Sequence, residues 1–175
     1  DVPGIRHILA STLSAAGDKQ AAASEWRQLV TAAPSFELAY LAWAIDLMDA
    51  KRYKETQELL REGLKSNPDS PLLANALAWA LAAPDVESAR NGEEAVMWAT
   101  KACEATGYQD PELLDTLAAA HSTAGNYSRA STVEQDAIKL ATRIGLTTPL
   151  ATFRQRLASY DKKIPIYEIL QAGSK

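Results

Sequence analysis

Residues 110–137 read DPELLDTLAAAHSTAGNYSRASTVEQDA, and the reading of this stretch decides the fold. Asp110 before Pro111 joins an N-cap side chain, able to accept from the free amides of a first helical turn, to a proline whose fixed φ suits the first helical position. Leu114, Leu117 and Ala118 recur at helical spacing, and His121 completes their stripe. Gly125-Asn126 ends that helix, because glycine takes positive φ without steric cost. A second helix starts near Tyr127 and carries the small residues Ala130 and Ala137 on one face. Two short antiparallel helices cannot bury their apolar faces alone, so the unit predicts neighbours of its own kind.

Those neighbours follow a 34-residue register: Ala10, Ala44 and Ala78 are spaced by it, as are Pro34 and Pro68, and Ala22 and Thr56. On the first helix of each pair the pattern is Arg6, Leu9, Ala10, Leu13, then Tyr40, Trp43, Ala44, Leu47, then Ala74, Leu77, Ala78, Leu81, then Leu114, Leu117, Ala118, His121. On the second helix Ala22, Trp26 and Leu29 are answered by Thr56, Leu60 and Gly63, by Ala95, Ala99 and Ala102, and by Ala130, Glu134 and Ala137. This resembles the tetratricopeptide repeat, whose signature sets bulky, small and aromatic residues at these spacings. The tail after a capping helix also looks like the C-terminal repeat regions of large bacterial multidomain proteins. The departures are Arg6 at an apolar position, His121 and Glu134 at aromatic positions, and no closing proline in the third repeat.

The resemblance implies an all-α, right-handed α-α superhelix of four helical hairpins plus a capping helix. Its repeats fall at about 3–36, 37–70, 71–110 and 111–144, with the cap at about 149–160, in one domain over 1–163. Residues 164–175, IPIYEILQAGSK, are an apolar tail that either folds back or docks on another molecule. The third repeat carries an insertion at 83–92, APDVESARNG, in the turn between its helices. Such a loop is either a silent surface insertion or a projection that holds a partner.

Composition narrows the function classes. A net charge of −4 gives no reason to expect nucleic acid. The apolar stretch at 72–83 is interrupted by Asn75 and too short to span a bilayer, so no membrane segment is expected within the chain. The sequence opens at Asp1 without Met or a signal-like segment, as a processed product or a piece of a longer polypeptide would; a soluble cytoplasmic or periplasmic setting fits equally. Cys103 is the only cysteine, which rules out an intrachain disulfide, and it reads as a buried inert thiol. His7 and His121 lie far apart, and His121 sits on a packing stripe. Asp46 and Asp49 read as solvated carboxylates at a helix end. Gly92-Glu93-Glu94 opens a helix with acids, which repel an anion. No catalytic constellation, metal site or cofactor site emerges.

Shape and lining remain. In such arrays the first helix of each pair lines the concave side. In the second repeat it carries a second apolar stripe, Leu38, Leu41, Ile45 and Met48. The corresponding stripe holds Asn75 and Trp79 in the third repeat and Asp115 and Ser122 in the fourth. The expected groove is therefore Leu41, Ile45, Met48, Asn75, Trp79, Asp115 and Ser122, apolar in its middle with Asn75 and Asp115 as polar hooks. It suits a protein or peptide partner with a few apolar anchors. The alternatives are self-association through the tail, or service as the regulatory C-terminal part of a larger enzyme. Residues 85–136 carry ten acids against three bases, and 139–163 six bases against Asp161, so an end-to-side contact between copies would weaken with salt.

Overall fold

A computed structural model describes residues 2–173, and among them every regular element is helical. In order these are α1 (Val2–Ala15), α2 (Lys19–Ala32), α3 (Glu37–Asp49), α4 (Tyr53–Ser66), α5 (Pro71–Ala82), α6 (Gly92–Ala105), α7 (Pro111–Thr123), α8 (Tyr127–Arg143), α9 (Leu150–Tyr160) and α10 (Ile166–Gly173). The chain divides into two compact units, residues 1–76 and 77–175, the division falling inside α5.

In the first unit α1 pairs with α2 and α3 with α4, and α2 also packs on α3. The seams close on small side chains: Ala10, Ala22, Ala39 and Ala44 are buried, with Trp26, Leu29, Tyr40 and Leu60 around them. Gly63 of α4 is needed at its seam, because a β-carbon there would stand 2.9 Å from the Tyr40 ring. Arg6, unusual at an apolar position, reaches across to α2, pairing with Glu25 and donating to Gln28 Oε1 at 2.8 Å.

Asp46 departs from the sequence reading. Its carboxylate is drawn into the junction of three helices, where one oxygen accepts from Ser14 Oγ and from Lys19 Nζ at 2.7 Å. The other accepts from the Trp26 indole N–H at 3.1 Å. Burial alone would raise its pKa, but the bonds from Lys19, Ser14 and Trp26 and the Lys19 charge outweigh that and hold it below the ordinary value. The reason was invisible in sequence: the donors come from two other helices, Ser14 from α1 and Lys19 and Trp26 from α2.

In the second unit α6 packs on α7, α7 on α8, and α8 on α9. The reading of residues 110–137 holds in detail. Asp110 accepts from the amides of Glu112 and Leu113, and α7 ends before Gly125 at φ 78. The insertion does not project freely. Pro84 and Ala89 are buried, Arg90 donates to the Pro84 carbonyl at 3.0 Å, and Thr123 of α7 donates to the Ala82 carbonyl at 2.9 Å. Gly92 sits so close to the end of α7 that a β-carbon would lie 2.5 Å from the Ala124 nitrogen. Residues 166–173 form a helix, α10, which lies on α7 and α9; Ser174 and Lys175 of the expected tail lie outside the described residues.

Asp46→Asn should cost about 1–3 kcal/mol at neutral pH, because it weakens a charge-assisted cluster and leaves Lys19 without its partner. A carboxyl whose folded pKa is depressed contributes stability above its unfolded pKa and loses it as pH falls through the folded one. The gap between wild type and variant in urea unfolding, followed through Trp fluorescence, should therefore close in acid.

Candidate functional site

The seven expected lining residues fall into two settings. On α3, Leu41 and Met48 are half-buried and Ile45 is 63% exposed, with Leu38 beside them at 52%. Their spacing of three, four and three places them on one face, along which exposed and half-buried side chains alternate. Asn75, in the first unit, is half-buried with its amide oxygen buried and lacking a partner among the described residues.

Trp79, Asp115 and Ser122, in the second unit, meet the chain's own C-terminal helices. Arg156 of α9 forms an ion pair with Asp115, and its guanidinium stands 5.1 Å from the Trp79 ring centroid. Ser122, 1% exposed, donates to the Ala119 carbonyl at 2.7 Å and accepts from the Ile166 amide at 3.0 Å. The expected polar hook at Asp115 is thus held by Arg156 of α9, and Ser122 on the same helix meets α10.

Glu134 of α8, fully buried, is the unexpected member of this cluster. Neither of its oxygens has a hydrogen-bond partner among the described residues. Burial first, then the charge of Asp115 and the bond between them, push its pKa up to about 10. Burial also pushes Asp115 upward, and the Arg156 guanidinium paired with it draws it back. Tyr160 of α9, also buried here, is held as a neutral phenol by burial and by the two carboxyls. The departure from the repeat signature at residue 134 pointed to this site. Its partners could not be read, because they come from other helices.

Other candidates carry no chemistry. Burial, then Asp110 and Glu104, push the Cys103 thiol up to about 12, which leaves it protonated and unreactive at neutral pH. Burial, then Arg129, lower the pKa of His121, so the ring stays neutral. Among the described residues no group of side chains is arranged to hold a metal ion, and no helix is long and apolar enough to cross a membrane. Three exposed apolar residues on α1, Val2, Ile5 and Ile8, were not singled out by the sequence reading, and Leu9, expected on the packing stripe, is exposed beside them. Their signal was the spacing of Ile5, Ile8 and Leu9 at three and four residues.

No protein-family model and no curated protein sequence matches the chain. Solved structures do share the fold. The crystal structure of PilW, described as a widely conserved type IV pilus biogenesis factor, is 18% identical over 93% of this chain and 79% of its own, with a TM-score of 0.67. MamA from Desulfovibrio magneticus RS-1 is 17% identical over 81% and 76%, with a TM-score of 0.65. PilF of Pseudomonas aeruginosa is 16% identical over 90% and 76%, with a TM-score of 0.64. These neighbours contain tetratricopeptide repeats, and the fold of this chain is that of tetratricopeptide-like helical solenoids.

Glu134 gives a pH test. A group whose folded pKa is raised contributes stability that is complete below its unfolded pKa, near 4.3, and is lost as pH climbs toward the folded value. Wild-type stability should therefore fall steadily from about pH 5 to about pH 9. Glu134→Gln, neutral and of the same shape, should flatten that slope and add roughly 2–4 kcal/mol at pH 8. Chemical denaturation across pH reads both.

Proposed function

We propose that this chain is a non-catalytic protein-interaction scaffold whose first unit captures a partner on α3. The observation that carries this reading is the stripe of Leu38, Leu41, Ile45 and Met48, with Ile45 open to solvent at its centre. The partner is an amphipathic helix or an extended segment with two or three apolar anchors. Each well-buried anchor contributes about 1.5–3 kcal/mol before ordering costs, so a few anchors give weak, reversible capture. Support comes also from the fold, since helical-repeat arrays act through shape and lining, and from a neighbour described as a pilus biogenesis factor, an assembly role said of PilW. The groove proposed here rests on α3; Asp115 and Ser122, which touch the chain's own helices, are outside it.

A random-peptide display selection against the full chain tests this. Selected peptides should share apolar anchors at helical or alternating spacing and shift the NMR signals of α3. Ile45→Asp should weaken them by at least about tenfold, the equivalent of 1.4 kcal/mol, while helicity is unchanged. Peptides that bind the Ile45→Asp chain as tightly as wild type would remove α3 from the account.

A further inference from the structure

A cavity of about 730 Å³ opens beside the turn between α7 and α8, within the size range of small-molecule sites. Two cations line it, and they come from distant parts of the chain. Arg129 stands in the first turn of α8, where its amide donates to the Asn126 carbonyl at 3.0 Å. Lys163 lies between α9 and α10, and its backbone is held by its own amide on the Tyr160 carbonyl at 2.8 Å and by that of Ile164 on Ser159 at 3.0 Å. Among the described residues neither side chain forms an ion pair or a hydrogen bond, and no carboxylate lines the cavity. Arg6, Lys19, Arg52, Lys139 and Arg156, by contrast, each reach a carboxylate of the chain.

Neutral donors stand beside these cations with nothing of their own to bond. The Asn126 side chain precedes α8 without capping it. The Ser128 hydroxyl makes no hydrogen bond among the described residues, whereas Thr132 and Thr142 on the same helix donate to the carbonyls of Ser128 and Ile138. His121, on the last turn of α7, also lines the cavity, and its Nδ1 is buried without a partner. The ring is near enough to Arg129 for that charge to join burial in lowering its pKa. Positive charge is thus gathered here with no anion of the chain to balance it. Two unpaired cations call for a ligand of charge near −2, which a single carboxylate does not carry. A phosphate monoester does, at about −1.5 to −2 near neutral pH, and it offers three acceptor oxygens to the waiting donors.

We propose that this cavity is a binding site for a small phosphate monoester, its phosphate held between Arg129 and Lys163 and the group that carries it in the remaining volume. The planar Arg129 guanidinium suits two phosphate oxygens at once, and Lys163 supplies the second charge. The Asn126 amide and the Ser128 hydroxyl complete the donor set. Both cations are exposed, so the binding is salt-sensitive. The α3 stripe takes no part, so this inference and the peptide-capture reading fail separately.

The test is an NMR titration of the full 15N-labelled chain with glycerol phosphate, inorganic phosphate and acetate, slightly above neutral pH, with sodium chloride holding the ionic strength constant. Both phosphates should give saturable shifts at Ser128 and Arg129 and raise the titration midpoint of His121, because a neighbouring anion favours the imidazolium. Acetate should bind at least about tenfold more weakly. Arg129→Gln and Lys163→Gln, both at exposed positions, should each weaken glycerol phosphate several-fold, and the double variant should lose saturable binding with its helicity unchanged. Shifts that grow linearly without saturation would overturn the inference, as would acetate binding as tightly as phosphate or a double variant that binds like wild type. Inorganic phosphate that binds while glycerol phosphate is excluded would overturn the assignment to a monoester.

Discussion

Close approach of paired helices at small side chains is the constraint on which the rest of this structure depends. Ala10, Ala22, Ala78, Ala95, Ala118 and Ala130 have no exposed surface. Each stands where a larger side chain would hold two helices apart. Gly63 against the Tyr40 ring and Gly92 against the backbone at Ala124 carry the same requirement to its limit, since neither leaves room for a β-carbon. The large residues Trp26, Tyr40, Leu60 and Leu77 then fill the space beside each contact. The same packing leaves Leu38 and Ile45 of α3 exposed and sets Asp115 and Ser122 of α7 against Arg156 of α9 and Ile166 of α10.

The two units handle polar groups at their helix junctions in opposite ways. In the first, Asp46 stays ionised because Lys19, Ser14 and Trp26 all donate to it. In the second, Asp115 and Glu134 are buried together with one cation, Arg156, which can balance one charge only. The second carboxyl keeps its proton. Like charges in a low-dielectric site leave no other inexpensive state. In the second unit Ser122 of α7 also meets Ile166 of α10, whereas the first leaves Leu38 and Ile45 exposed.

Helix starts, turns and small-residue seams were legible in the sequence, because each is a local or periodic property: Asp110-Pro111, Gly125, and the 34-residue spacing of Ala10, Ala44 and Ala78. The proposed site was legible to the extent that one helix defines it, as with the spacing of Leu38, Leu41, Ile45 and Met48. Asp115 and Ser122 share their helical face with Trp79's counterpart positions, yet what meets that face comes from residues 156 and 166, some forty positions away. Nothing in the composition of IPIYEILQAG separates a free tail from a docked helix, since the difference lies in Ser122 and Arg90. Glu134 broke the repeat pattern visibly, but its proton is a property of the neighbours that burial assembles.

The seam itself can be tested at Ala118, at the middle of α7. Leucine is close to alanine in helix propensity and adds apolar surface, so on propensity and transfer alone Ala118→Leu would be neutral or stabilising. Urea unfolding of the Ala118→Leu chain, with the same change at exposed Ala16 as reference, measures the seam directly. The account predicts a loss of about 1–3 kcal/mol at Ala118 from overpacking and almost none at Ala16. Equal or greater stability at Ala118 would contradict it, because the helices would then not need a small residue where they meet.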